Sequence, residues 1–260
     1  MRELEELEPK KVFYYFEELC GIPHPSYKEK RISDYLVGFA KERGLEHYQD
    51  DLYNVVMIAP ATAGYEDEEP VILQGHMDMV CEKEPDCGID FENDGLKLLI
   101  DGDYVTAQGT TLGGDDGIAI AYALAILDSP DIAHPRLEII FTASEETGME
   151  GASGVDLSML KGHKLLNLDS ETEGVMTVSC AGGNSSVCHV PVAYEAGSGS
   201  ALSLRVGGLK GGHSGVEIDK GRANANRVMG RLLLALEQSG VDYALAALSG
   251  GAKQNAIPRE

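Results

Sequence analysis

Four short apolar runs constrain this chain most. They are residues 54–59 (NVVMIA), 71–73 (VIL), Leu137–Thr142 (LEIIFT) and 164–168 (KLLNL). Runs of this length without alternation fit strands buried on both faces. Helical periodicity covers residues 12–20 and 27–43, before the first run, and 118–127, between the second and third. Ser26 is placed to cap the second of these helices and Gly44 to stop it. The third follows a glycine-rich turn, TLGGDDG, at residues 111–117. Strands alternating with helices predict an α/β fold, a mainly parallel sheet with helices on both faces. Near Cys180 the pattern changes. Residues 176–180, 186–192, 201–206 and 243–248 have strand-like composition at short spacing, with a helix predicted over 223–238. This predicts two domains: 1–185, and a smaller α+β domain over 186–260.

Length and charge narrow the functional classes. A chain of 260 residues with 43% hydrophobic residues has ample material for a core. Its formal net charge of -22 excludes nucleic acid as a partner, because phosphate binding needs a basic surface. No apolar run approaches the roughly 18 residues of a membrane span. The N-terminal stretch MRELEELEPKK has no apolar signal region. A cytoplasmic protein without a membrane partner is expected. The five cysteines, Cys20, Cys81, Cys87, Cys180 and Cys188, show no CxxC spacing, so neither a disulfide framework nor a thiolate zinc site is indicated.

The polar residues that follow the apolar runs carry the chemistry. His76 and Asp78 follow the second run, Asp115 and Asp116 lie in the glycine-rich turn, Glu145 and Glu146 follow LEIIFT, and Asp169 follows KLLNL. Singly, each has an ordinary explanation, such as a satisfied His–Asp pair, an Asp helix cap or an acidic first turn. Together they predict convergence at the carboxyl ends of the strands, where open α/β sheets bind ligands. So much like charge in one place is costly without cations. One imidazole with several carboxylates suits Zn²⁺, Mn²⁺ or Co²⁺, and two metals sharing a carboxylate would satisfy more of the groups than one.

The stretches GHMDMV, TTLGGDDGIA, TASEETGMEGA and NLDSE resemble the co-catalytic metallopeptidases that include aminoacylase and glutamate carboxypeptidase. GGDDG, EETGMEGA and LDSE are most similar to the aminoacyl-histidine (Xaa-His) dipeptidases of that family, and GGLKGGHSGVEID with QNAIPRE to its lid domain. The resemblance implies two divalent metals, Zn²⁺ first, with Mn²⁺ or Co²⁺ as alternatives. It implies that His76 and Asp169 hold one metal, Asp115 bridges, Glu146 holds the second, Glu145 is the general base and Asp78 orients the His76 ring. His213, Asn255 and Arg259 would contact substrate, and the lid would make a homodimer. The implied reaction is hydrolysis of small dipeptides, with Glu171 or Glu173 available for the substrate amino group. Deacylation of N-acyl amino acids and a non-catalytic, metal-binding role are the alternatives.

The pattern also departs from the family. The family's second metal takes a further histidine near the C-terminus of a chain nearly twice as long, and no histidine follows His213 here. A truncated lid, an incomplete second metal site and little activity from this chain alone are therefore expected.

Overall fold

In a computed structural model of the protein, residues 2–170, 172–180, 182, 184, 186–251 and 253–260 are described. The chain forms two compact units, Met1–Ser179 and Cys180–Glu260.

The first unit is built on a five-stranded sheet. Its strands are β1 (Glu46–Gln49), β2 (Val55–Ala59), β3 (Val71–His76), β6 (Leu137–Thr142) and β7 (Lys164–Asn167), in the order β1-β2-β6-β3-β7. Strand β3 runs parallel to both β6 and β7, whereas β2 is antiparallel to β6 and to β1. The sheet is thus mixed, with its parallel part at β6, β3 and β7. A separate hairpin joins β4 (Leu98–Asp101) to β5 (Tyr104–Ala107). Gly102, with φ +60°, opens its two-residue turn, the position where such turns favour glycine.

Helices α1 (Lys10–Cys20), α2 (Lys30–Glu42) and α3 (Gly114–Leu127) bury apolar residues in one cluster with Val55, Met57, Leu73, Ile139 and Phe141. Alternate strand residues point to opposite faces, so this cluster occupies one face of the sheet. On the other face the loop at Gly162 closes over Ile72 and Glu138. Helix α3 is apolar around most of its circumference, as its Ala/Ile/Leu composition predicts, and it packs on β3 and α1. Gly75 permits that approach, because a Cβ there would lie 2.6 Å from Asp116 Oδ2 and 2.7 Å from the Ala119 Cβ.

Glu138 is a buried acid on an otherwise apolar strand. It accepts hydrogen bonds from Arg136 Nε (2.7 Å) and from the amides of Lys161 and Gly162 (2.9 Å each). Burial alone would raise its pKa, but Arg136 and the two amides outweigh burial and hold it below its ordinary 4.5. A depressed carboxyl stabilises the fold above its unfolded pKa and loses that contribution as pH falls through its folded value. Glu138→Ala is expected to cost about 3 kcal/mol at neutral pH, because it strands buried donors. Chemical denaturation should show the gap from wild type narrowing as pH drops below 4.5. A pH-independent gap would contradict this assignment.

The second unit contains α6 (Ala225–Gln238) and a two-stranded ribbon of β8 (Gly212–His213) and β9 (Ala256–Ile257). Asn224 caps α6 by accepting the Arg227 amide at 3.1 Å. The strand-like stretches at 176–180, 186–192, 201–206 and 243–248 form no regular strand among the described residues. Their described residues are almost all exposed, and β-propensity yields a strand only where a partner and a packing face exist.

Candidate metal centre

The parallel strands deliver the acidic groups. Strand β3 ends at His76, and the Met77 amide still bonds to Thr142 O (2.8 Å). Beyond β6, the short α4 (Glu145–Gly148) carries Glu145 and Glu146, and α5 (Glu150–Gly154) follows it. After β7, the Leu168 amide extends the pairing to Gln74 O (3.0 Å), which sets Asp169 at the same rim. Asp115 and Asp116 occupy the irregular first turn of α3, where their backbone angles are not yet helical.

His76 is the centre of the group and only 1% exposed. Its Nε2 lies 2.9 Å from Asp115 Oδ1 and 4.0 Å from Glu145 Oε2. Two sets of donor atoms fall within 4.8 Å of one another: His76, Asp115 and Glu146, and His76, Glu145 and Asp169. Asp115, Glu146 and Asp169, expected as metal ligands from the resemblance, and Glu145, expected as the general base, therefore gather around the His76 imidazole. His213, Asn255 and Arg259 belong to the other unit. Glu173 is exposed, and Glu171 lies outside the described residues.

Asp78 touches the ring differently from the expected carboxylate contact. His76 Nδ1 lies 2.9 Å from the backbone carbonyl of Asp78 and 3.5 Å from its carboxylate Oδ1. That carboxylate is instead occupied by the Glu145 amide (2.9 Å), the Glu146 amide (3.2 Å) and the Ser26 hydroxyl (2.7 Å). Nδ1–H donation to a carbonyl fixes the ring orientation and leaves Nε2 facing the carboxylates.

Electrostatics report how crowded the rim is. Burial depresses His76, but its hydrogen bond to the Asp115 carboxylate and the nearby charge of Asp78 outweigh burial and raise it to about 11. Asp115 is lowered, first by its bond to His76. Burial raises Asp116 to about 7 against the pull of His76. Burial and then Asp115 raise Glu146 to about 7. Glu145 is raised by burial, with Asp169, Asp78 and Asp115 adding to it. Protons on these groups relieve a repulsion that a divalent cation would relieve instead, and one imidazole with hard carboxylate oxygens is a donor set that suits Zn²⁺, Mn²⁺ or Co²⁺. A metal must displace the His76 proton, so affinity falls as pH falls.

Asp116 had no role assignable from sequence. It is 2% exposed and accepts the His76 amide at 3.1 Å, bracing the end of β3. Only its adjacency to Asp115 hinted at it. Cys81, close to His76 in sequence, is a partly buried free thiol whose pKa burial raises to about 11.

In the second unit, pairing of β8 with β9 brings together residues distant in sequence. His213 stands opposite Ala256, and the Ser214 amide donates to Asn255 O at 2.9 Å. His213 Nδ1 accepts from the amides of Gly215 (3.0 Å) and Val216 (3.2 Å). That places the ring proton on Nε2, which faces away from these bonds. Arg259 and Asn255 line the same open groove as His213.

Comparison with known proteins places the chain in a family. The chain is 43% identical over its whole length to the cytosol non-specific dipeptidase of Escherichia coli K12, covering 54% of that protein. It superposes on the aminoacylhistidine dipeptidase of Vibrio alginolyticus with a TM-score of 0.68 and 37% identity, over 99% of this chain and 53% of that one. An aminopeptidase PepT structure from Bacillus cereus shares the fold at a TM-score of 0.54 and 20% identity, over 96% of this chain and 64% of that one. The chain spans about half the length of the first two relatives. Residues 72–245 match the peptidase family M20/M25/M40, and with His76, Asp115, Glu145, Glu146 and Asp169 drawn to one rim, the chain belongs to that family.

Proposed function

We propose that this chain carries the metal-holding part of a metal-dependent dipeptidase acting on unblocked dipeptides, with a C-terminal histidine as the preferred second residue. The observation that supports it most is the set of carboxylates around the single imidazole of His76. The names of the two half-covered relatives, one a non-specific dipeptidase and one an aminoacylhistidine dipeptidase, support the substrate class. The name of the former also favours a cytosolic location. Among the described residues, no helix is long and apolar enough to cross a membrane.

His76, Asp115, Glu146 and Asp169 would hold two divalent ions, with Zn²⁺ the first candidate. Both donor sets draw on the same imidazole, so the second site is short of a nitrogen donor among the described residues. When bound, divalent metals polarise a carbonyl and make a water acidic near neutral pH. Glu145 would take a water proton on its carboxylate and return it to the leaving amine. Its raised pKa suits both steps, because a general base works best when its pKa approaches the operating pH. Asp78 keeps the His76 ring in the orientation that leaves Nε2 for the metal. On the second unit, His213 Nε2–H, the Asn255 amide and the Arg259 guanidinium would bind the oxyanion and the substrate carboxylate. Exposed Val228 and Leu232, one turn apart on α6, give that unit an apolar surface suited to a homodimer contact.

Calorimetric titration with Zn²⁺ tests the metal assignment. One strong equivalent is expected, with the second weaker by more than the roughly 10–100-fold that loss of an outer-shell partner produces. Two equally tight equivalents would overturn the incomplete second site. Histidine release from β-alanyl-histidine, stopped by a chelator, is the expected activity, and it should be slow for this chain. Deacylation of an N-acetyl amino acid with no dipeptide cleavage would overturn the substrate class.

A further inference from the structure

Glu29 lies just before α2 and is 2% exposed. Among the described residues it forms no ion pair. One of its oxygens, Oε1, accepts three hydrogen bonds: the Tyr27 amide (2.9 Å), the Ser144 amide (2.9 Å) and the Ser144 hydroxyl (2.8 Å). Tyr27 and Ser144 are both non-glycine residues with positive φ, 67° and 53°. That backbone region is costly for residues with a Cβ and persists only where surroundings impose it. Ser144 immediately precedes Glu145 and Glu146, whose own amides are held by Asp78. Three consecutive amides after β6 thus end on two buried carboxylates.

Resting on the metal-dependent reading above, we infer that Glu29 is a positioning residue for the metal centre. It forces Ser144 into the left-handed conformation, and that turn aims Glu145 and Glu146 at His76. Ser26, in the same loop, assists by donating its hydroxyl to Asp78 at 2.7 Å. Glu29 itself needs no contact with metal or substrate. Strain at Ser144 is held from the far side of the turn, by a side chain 115 residues away in sequence.

The inference has a signature that a general stabilising role lacks. Glycine adopts positive φ without penalty, so Ser144→Gly removes the need for an imposing partner. Co²⁺ titration, followed by calorimetry and by visible absorption of the bound ion, reads the site without relying on turnover. Glu29→Leu is expected to weaken Co²⁺ binding about 10–100-fold and to change the absorption envelope, the scale of losing a group that orients metal ligands. Adding Ser144→Gly to Glu29→Leu should recover most of the affinity while leaving the melting temperature of the metal-free protein low. Affinity for Glu29→Leu within about twofold of wild type, or no recovery with Ser144→Gly, overturns the inference. If Glu29→Leu does not fold, Ser144→Ala decides. It removes only the hydroxyl bond, and a weaker, spectrally altered site supports the inference while an unchanged one overturns it. A wild-type chain that binds no Co²⁺ overturns the metal reading and this inference together. Wild-type binding with indifferent variants overturns this inference alone.

Discussion

His76→Ala is expected to abolish tight divalent-metal binding by the chain, with an affinity loss well above the roughly 10–100-fold that loss of an outer-shell partner produces. The reason is geometric. His76 is common to both groups of donor atoms that lie within 4.8 Å of one another, so its removal disables both. It is also the only nitrogen donor in either group, and carboxylates alone favour harder ions over Zn²⁺. Folding is a separate matter, because His76 is buried and its ring meets Asp115 and Asp78. A parallel His24→Ala variant controls for this. His24 is also buried, with Nδ1 beside Ile22 O, yet it is in neither donor group. Both variants should lower the melting temperature, and only His76→Ala should lose Zn²⁺ in calorimetry. Retained nanomolar-class binding in a folded His76→Ala protein, or equal metal loss in both, would show that the imidazole is not the anchor.

The convergence of these side chains was legible in sequence because each follows a strand or lies in a turn, and strand ends at a parallel sheet converge. Leu137–Thr142 shows how direct that reading can be. Its six residues are all buried and four of them are apolar, the near-continuous apolar run that burial on both faces requires. Strand β3 was legible only as far as Leu73, because Gln74, Gly75 and His76 continue it with residues chosen for the site and for the approach of α3. Ser26 shows a different failure. A Ser before a periodic stretch reads as an N-cap, but its hydroxyl goes to Asp78, and the residue preceding α2 is Glu29. The contacts of Glu29 span more than a hundred positions, and no local pattern encodes them. In the second unit, β-rich composition over residues 186–206 and 243–248 could state a preference but not supply a neighbouring strand. Pairing of β8 with β9 was equally hidden, since two-residue strands carry no periodicity.

Glu145→Gln is expected to separate chemistry from metal holding. The substitution keeps the side chain's shape and one oxygen, so His76, Asp115, Glu146 and Asp169 remain as donors. What disappears is the ability to accept a proton. Removing a positioned general base costs about 10²–10⁴-fold in rate, so kcat for dipeptide hydrolysis should fall within that range while KM changes little. Zn²⁺ affinity should stay within about tenfold of wild type, because Glu145 Oε2 lies 4.0 Å from His76 Nε2 rather than closing directly on it. Glu146→Gln provides the contrast. Burial and then Asp115 raise its carboxylate to about 7, and it shares a donor group with His76 and Asp115, so that variant should lose metal first and rate as a consequence, with excess Zn²⁺ restoring part of the activity. On the proposed reading, the two neighbours receive different tasks from their surroundings. Glu145 stands beside the imidazole, within reach of the proton to be moved, and Glu146 shares a donor group with Asp115. Should Glu145→Gln lose metal and Glu146→Gln retain it, the two roles would have to be exchanged, and the general base would then lie on the Asp115 side of His76.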